Sequence, residues 1–412
     1  NTPLHMAAGC NEDPEVVISL VEAGANVNAR NTGGQTPLLR AARYNPNPEV
    51  TEALLNEGAD PVIGDNDRRT PGYYAGSNEK LKGTSLHTLL YDAADGFAEL
   101  CKTGPADRVK AAIQAGADLK ARDADDNTSL HLAARHCPVP DVVTVLAEGG
   151  ADANVLDKDG STPLHMAAWY NSMPEVAAAL LQAGSDVNWR NRHGNTPLHF
   201  AAGYNSDPEV VAILLKAGAE LNVRNAAGET PLLRAARYNP NPEVAALLLK
   251  SGANPLIRDN DGRSPGYRAG GNDKLKGTDL HTLLYDAADG FMELCKTGPA
   301  DRIKATIKIG ANVNARDKDG NTPLHLAAAY NTDHDAVLAL VGASASVNEL
   351  DNNGSTPLHM AAWYNVQTAI STVLLQTGAD PGKRNKDGNT PLHWAARNNP
   401  NPEVATALIK AG

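Results

Sequence analysis

The sequence has few aromatic residues for its length. Its 412 residues include 11 tyrosines, four tryptophans and three phenylalanines. A single globular core in a chain of this size would normally use more of these large side chains. Ala, Leu and Val supply the apolar content instead, and this composition favours many thin, similar layers over one large core.

Excess basic charge and long apolar runs are also missing. The formal net charge is −11 and no basic run occurs, so non-specific binding to a phosphate backbone is disfavoured. No apolar stretch approaches the roughly 20 residues that span a bilayer, and no signal peptide is visible. We therefore predict no nucleic-acid partner and no membrane insertion.

Cysteine is scarce, and its pattern does not indicate a disulfide framework. The chain has four cysteines, of which Cys101 and Cys295 occupy identical Glu-Leu-Cys-Lys-Thr-Gly segments 194 residues apart. Free cysteine is a small residue that is commonly buried. We interpret Cys101 and Cys295 as packing residues, while Cys10 and Cys137 have no recognisable partners.

Motifs that would indicate catalysis are absent too. The sequence has no Gly-rich phosphate loop, no Gly-x-Ser-x-Gly elbow, no Cys-x-x-Cys pair and no His-Glu-x-x-His helix. Asp-x-Asp-Gly starts at Asp157, Asp259 and Asp317, but the twelfth residue from Asp157 is Ala168, where a calcium loop needs Glu. We interpret these segments as turns and predict no enzymatic activity, no metal site and no cofactor.

One short motif organises the rest of the chain. Thr-Pro-Leu-His-x-Ala-Ala is complete at Thr2, Thr162, Thr196, Thr322, Thr356 and Thr390, and variants start at Thr36, Thr70, Thr128, Thr230 and Ser264. Thr can cap a helix, Pro fits its first position, and the alanines leave the helix thin enough for close packing. Consecutive copies lie 34 residues apart except across two gaps of 58 residues, which is the signature of stacked repeats.

The motif, its period and the recurrent Gly-Ala-Asp/Asn-x-Asn resemble the ankyrin repeat over nearly the whole chain. The resemblance implies an all-α repeat solenoid of stacked helix pairs with β-hairpin finger loops, in about thirteen layers. It also implies that the motif histidines make structural hydrogen bonds between layers and hold no metal. These are His5, His131, His165, His199, His325, His359 and His393.

Residues 196–229 illustrate one repeat. Thr196 opens the first helix, and Asn205 in the following turn suits a left-handed residue. Pro208 starts the second helix, which ends at Gly218. A finger then leads to the next repeat, and the extra residue relative to the usual 33 of the family falls in the turn between the helices.

The two 58-residue gaps define seams in this pattern. After each weak first helix, residues 80–94 and 274–288 are predicted to form a longer second helix with no finger behind it. The sequence also largely repeats itself at an offset of 194 residues, and 36–50 recurs unchanged at 230–244. We therefore expect three parts: repeats at 1–94, a complete six-layer block at 95–288 and an incomplete second block at 289–412.

The candidate partner-binding residues follow Ala-Ala, at a position expected to face the concave side, where Trp and Arg are enriched in binding hot spots. The competing interpretation is that these side chains only cover the turn or stack on neighbours. The candidates are Arg43, Arg135, Trp169, Arg237, Trp363 and Arg397, together with Trp189 in a finger.

Two functions remain open at this stage, and both rest on protein–protein contacts. Near-identity at 194 residues favours a structural protein that stacks end to end into a filament or tube. The alternative is a scaffold that holds a different protein on its concave face and fingers. Asn1 opens within a motif and Gly412 closes within a repeat, so we interpret the sequence as a slice or mature product of something longer. The expected end-to-end contact residues are Leu4, Ala7, Leu392, Leu408 and Ile409.

Overall fold

The computed structural model describes residues 1–412 and contains helices joined by turns, without β-strands. The α-helices follow one another in pairs. The first helices of the pairs are α1 (Pro3–Cys10), α3 (Pro37–Tyr44), α5 (Pro71–Ala75), α7 (Phe97–Thr103), α9 (Ser129–His136), α11 (Pro163–Tyr170), α13 (Pro197–Tyr204), α15 (Pro231–Tyr238), α17 (Pro265–Ala269), α19 (Phe291–Thr297), α21 (Pro323–Tyr330), α23 (Pro357–Tyr364) and α25 (Pro391–Asn398).

The second helices are slightly longer and alternate with the first. They are α2 (Pro14–Glu22), α4 (Pro48–Asn56), α6 (Ser85–Ala94), α8 (Ala106–Gln114), α10 (Pro140–Glu148), α12 (Pro174–Gln182), α14 (Pro208–Lys216), α16 (Pro242–Lys250), α18 (Asp279–Tyr285), α20 (Ala300–Lys308), α22 (His334–Gly342), α24 (Thr368–Gln376) and α26 (Pro402–Ala411). No helix is both long and apolar enough to cross a membrane.

The motif residues start and pack the first helices. In α3 the Thr36 hydroxyl accepts a hydrogen bond from the Leu39 backbone N–H at 3.3 Å, and Pro37 occupies the first helical position. Leu38 and the Ala41–Ala42 pair are fully buried against neighbouring helices. A helix of eight residues is unstable alone, so this packing and not intrinsic propensity holds it in place.

The motif histidines connect successive repeats. The Thr2 backbone N–H donates to Nδ1 of His5 at 3.1 Å, so the ring proton lies on Nε2, which donates to the Gln35 carbonyl at 2.8 Å. His131, His165, His325 and His359 make the same bond to the next repeat at 3.0–3.1 Å. Burial lowers the pKa of His165 to about 4, which keeps this ring neutral.

Asparagine follows eight of the thirteen first helices, and its role differs from the left-handed turn expected at Asn205. Asn45 and Asn239 have extended backbones (φ −76° and −74°). The Asn239 side-chain amide donates to the carbonyls of Ala202 and Asn205 in the preceding repeat at 2.9 and 2.8 Å. The asparagine side chain thus satisfies the free carbonyls at the end of the preceding helix, where a left-handed residue would have used backbone bonds.

The loops between repeats contain turns where β-hairpins were expected. The Asp157 carboxylate accepts backbone N–H bonds from Asp159 and Ser161, both at 2.8 Å, and Gly160 takes a positive φ of 73°. Neighbouring loop tips share single backbone bonds such as Arg192 N–H to the Asp159 carbonyl at 3.0 Å. Asp157 is therefore used within its own turn.

The seams contain shorter helices than expected. α6 begins at Ser85 and not at Lys80, because Gly83 takes a positive φ of 77° and Thr84 caps the helix through its bond to the His87 N–H. In the second seam α18 likewise begins at Asp279 and continues into a π-helix, Asp286–Gly290.

Glycine allows the two helices at each seam to approach closely. A Cβ atom on Gly72 would lie 2.8 Å from the Leu90 carbonyl oxygen, and one on Gly266 would lie 2.5 Å from Tyr285 Cα. The glycines that weaken the first helix of each seam are therefore needed for the close approach of the second helix. Buried Asp92 also pairs with Arg108 at 2.8 Å, which ties α6 to α8 across the first seam.

The chain divides by its contacts into two compact units, residues 1–201 with 209–220 and residues 202–208 with 221–412. Within the first unit one buried apolar cluster runs from Leu4 to Leu90, and within the second another runs from Phe291 to Leu408. Both clusters stop at the seams, while the three sequence-defined parts stay a prediction.

Cys101 and Cys295 are buried as expected, and burial raises the pKa of each thiol to about 12.

Candidate protein-binding surface

Half-exposed tyrosines stand at the C-terminal ends of the first helices. We call the following residues the helix-end tyrosines: Tyr44, Tyr170, Tyr204, Tyr238, Tyr330 and Tyr364. Between 38 and 49% of each side chain is accessible. Within the second unit, Tyr204 lies 5.6 Å from Tyr238 and Tyr330 lies 5.6 Å from Tyr364, measured between ring centroids. The helix ends therefore present paired aromatic rings to solvent.

At three of the helix-end tyrosines, the residue before the tyrosine packs on the next repeat. The residue that it contacts lies 31 positions later in the chain, directly after the motif histidine or the residue that replaces this histidine. The pairs are Arg43 over Tyr74 (4.6 Å to the ring centroid), Trp169 on Phe200 (4.6 Å) and Trp363 against Trp394 (4.5 Å). This contact was missed from the sequence, although the fixed spacing of 31 residues was a signal that could have revealed it.

Glycine at the same position makes room for arginine. A Cβ atom on Gly9 would lie 3.0 Å from Nε of Arg40, and one on Gly203 would lie 3.2 Å from Nε of Arg234. A small residue in one repeat thus accompanies a long side chain in the next.

The candidate arginines lie in different surroundings. Arg135 is half-buried over the Tyr170 ring at 4.1 Å, whereas Arg43 and Arg397 are exposed. Arg237 is exposed as well, but it donates to Glu229 at 2.9 Å. Arg43 and Arg397 take part in no ion pair, so they retain the most capacity to bind an external group.

The three candidate tryptophans are all half-buried, but they pack against different parts of the repeats. Trp169 and Trp363 are half-buried, in keeping with their stacking on the next repeat. Trp189, expected to be exposed in its loop, is also half-buried, because its Nε1–H donates to the Gly160 carbonyl of the preceding loop at 3.2 Å. Trp189 therefore has a structural contact within the loops.

Three of the proposed end-to-end contact residues are inside the protein. Leu4 is fully buried, and only 8% of Ala7 and 2% of Leu408 is accessible. Their side chains pack within the apolar clusters of their own units, and an end-to-end contact through them stays a prediction. Ile409 is exposed and Leu392 is half-buried.

Each seam carries an open groove. One of about 630 Å³ in the second unit is lined by Tyr238, Tyr267, His281 and Tyr285. Another of about 620 Å³ in the first unit lies between second helices and is lined by Leu55, Leu86, Leu89 and the Asp92–Arg108 pair. Both grooves are open and carry no converging set of nucleophile and base.

A family model of ankyrin repeats, described as three copies, matches residues 2–96, 97–191, 172–259, 291–385 and 328–412. The chain belongs to the ankyrin-repeat family. A comparison with curated proteins found no match.

Membership of the ankyrin-repeat family confirms the resemblance drawn from the motif. Ankyrin repeats are protein-interaction modules and are generally not enzymatic. The chemistry of the surface agrees with this role, since the accessible groups are aromatic rings and guanidinium groups and not a reactive cluster. No group of three or more His, Cys, Asp and Glu side chains in residues 1–412 is arranged to hold a metal ion.

Proposed function

We propose that this ankyrin-repeat protein is a non-enzymatic scaffold that binds partner proteins through the helix-end tyrosines and the arginine and tryptophan side chains beside them. The observation that supports this function is the repeated exposure of tyrosine at the same helix position. Tyr, Trp and Arg are the residues most enriched in binding hot spots. Several of these rings stack on arginine or tryptophan side chains, and a large part of each ring still stays open to solvent.

The stacking on the next repeat supports the same proposal. Tyr364 has two side-chain torsions, and its ring stacks on Trp363, which in turn packs against Trp394 of the next repeat, so these torsions are restricted before any partner binds. A partner would then bind rings that are already ordered, which reduces the entropic cost of association.

The test is a double substitution with a matched control. The helix-end pair Tyr330→Ser and Tyr364→Ser removes two exposed rings from first helices. Leu338→Ser removes a similarly exposed apolar side chain from α22, a second helix. We expect the double variant to lose most of the proteins that the wild type retains on affinity beads, and the control to retain them. Equal retention by all three chains contradicts the proposal.

Self-assembly is a second candidate function, supported by the near-identity of segments 194 residues apart. Of the expected contact residues, Ile409 and Leu392 remain available because they are not fully buried. We expect Ile409→Glu to abolish higher-order species in sedimentation velocity while circular dichroism stays unchanged. A wild-type chain that remains monomeric at high concentration excludes this function.

A further inference from the structure

Two nearly identical patches differ in how their arginines are neutralised. We define the first arginine pair as Arg40 and Arg43 and the second as Arg234 and Arg237. They lie in the segments 36–50 and 230–244, which have the same sequence. The residue just before each segment is Gln35 in the first copy and Glu229 in the second.

In the second copy a buried carboxylate neutralises both arginines. The side chain of Glu229 is 4% accessible, and its two oxygens lie 3.3 Å from Nη1 of Arg234 and 2.9 Å from Nη1 of Arg237. Arg234 itself is buried between the rings of Tyr204 and Tyr238. The second arginine pair is therefore largely used within the protein.

In the first copy the arginines have no carboxylate within ion-pair distance. Arg43 is exposed, and its Nη1 lies 3.3 Å from the Tyr74 hydroxyl. Arg40 is half-exposed, and its Nε donates to the His5 carbonyl at 3.0 Å. Cys10 stands where the second copy has Tyr204, so no ring covers Arg40 on that side.

The carboxylate that bonds the Tyr74 hydroxyl already has several hydrogen-bond partners. The Tyr74 hydroxyl donates to Asp65 at 2.6 Å. Asp65 also accepts the backbone N–H groups of Asp67 and Arg69 at 2.9 and 3.0 Å. Its charge therefore has hydrogen-bond partners other than the first arginine pair.

We propose that the first arginine pair binds an acidic segment of a partner protein, and that Glu229 keeps the second copy from doing so. This proposal rests on the proposed function as a protein-binding scaffold. Two adjacent guanidinium groups beside the exposed rings of Tyr44 and Tyr73 complement carboxylates by charge and by hydrogen-bond geometry. An acidic peptide is favoured over nucleic acid because an extended phosphate backbone is bound by a long basic patch, whereas this surface offers two guanidinium groups and the chain has no basic run.

The test uses the full chain and a fluorescein-labelled oligoglutamate peptide, with a Ser-Asn peptide of equal length as the neutral probe. Fluorescence anisotropy should show wild-type binding of the acidic peptide that weakens as salt is added. The matched variants are Arg43→Gln and Arg237→Gln, which change the same residue in the same local sequence. We expect roughly tenfold weaker binding for Arg43→Gln and no change for Arg237→Gln.

A third variant tests the cause directly. Gln35→Glu places in the first copy the carboxylate that the second copy already accommodates, so it should fold and should weaken peptide binding by roughly tenfold. Equal losses in both arginine variants, unchanged binding by Gln35→Glu, or no binding by the wild type would each overturn the proposal. Tighter binding of an unlabelled oligonucleotide in competition would overturn the choice of an acidic peptide.

The outcome separates this inference from the proposed function. If the acidic peptide fails to bind while Tyr330→Ser with Tyr364→Ser still loses retained proteins, only the assignment of an acidic partner is wrong. If both experiments fail, the scaffold function itself is wrong.

Discussion

Replacing Asn239 by alanine should destabilise the stack more than any neighbouring surface change. The Asn239 side chain is fully buried, donates to the Ala202 and Asn205 carbonyls, and accepts the Asn241 backbone N–H at 2.8 Å. Each bond contributes about 1 kcal/mol net, and the two carbonyls left buried without a donor cost about 1 kcal/mol or more each. The expected loss is therefore about 3–5 kcal/mol.

Asn241→Ala is the matched control for this prediction. Asn241 is a helix cap that accepts the Glu243 N–H at 3.0 Å and donates to the Ser206 carbonyl at 2.8 Å at the surface. Loss of such a cap costs about 1 kcal/mol, since water replaces the exposed bonds.

The assay is native-state hydrogen exchange of the amides in α15 and α16. Because stability in a repeat stack is approximately a sum over neighbouring interfaces, the loss should appear as local opening around the substituted repeat. An Asn239→Ala chain whose opening free energy falls no more than that of Asn241→Ala would refute the bridging role.

Two further predictions concern the motif histidines and the seams. Burial lowers the pKa of His165 to about 4 in the folded protein, whereas a histidine in the unfolded chain titrates near about 6.5. As the pH falls below about 6.5, the unfolded chain therefore takes up a proton that the folded chain does not, and the free energy of unfolding should drop by about 3 kcal/mol by pH 4. Urea titrations across this range check it, and a His165→Gln chain with an equally steep pH dependence would contradict it. Gly266→Ala should lower the melting temperature because its Cβ would lie 2.5 Å from Tyr285 Cα, at a cost of about 1–3 kcal/mol. Gly271→Ala meets only the Arg268 carbonyl at 3.5 Å, and calorimetry showing the same loss in both variants would argue against close helix packing at the seam.

The repeat architecture could be predicted from the sequence because its signals are local and recur at a fixed period. Thr and Pro at helix starts and Ala-Ala in the packed face each have one physical role, which recurrence in register made visible. The hydrogen bonds of His5 to the next repeat were expected from the family resemblance.

The errors arose where a residue serves a neighbouring repeat. Asn205 was interpreted within its own turn, but at the equivalent position the Asn45 amide donates to the Ala8 and Asn11 carbonyls of the preceding repeat at 2.9 and 2.8 Å. Leu4 was interpreted as part of an uncapped end of the stack, and the structure places it fully buried in the apolar cluster of its own unit. In each case the decisive contact joins residues that are distant in the chain.

The candidate surface could be located from the sequence but not evaluated there. The position after Ala-Ala was identified, yet its contact residue 31 positions later decides whether an arginine such as Arg43 stays free. Likewise, Gln35 and Glu229 differ only in carrying an amide or a carboxylate. The distances from Glu229 to the two arginines show that this difference decides whether the arginines are neutralised.

The most direct test of the scaffold function is site-specific photocrosslinking. A benzophenone side chain replaces Tyr330 on a first helix in one chain and Leu338 on the second helix of the same pair in another. Both positions are exposed to a similar extent, at 49 and 42%. The account predicts that irradiation in cell extract joins the Tyr330 chain to discrete partner proteins and leaves the Leu338 chain without them. Crosslinks of equal yield and identity from both positions would contradict it.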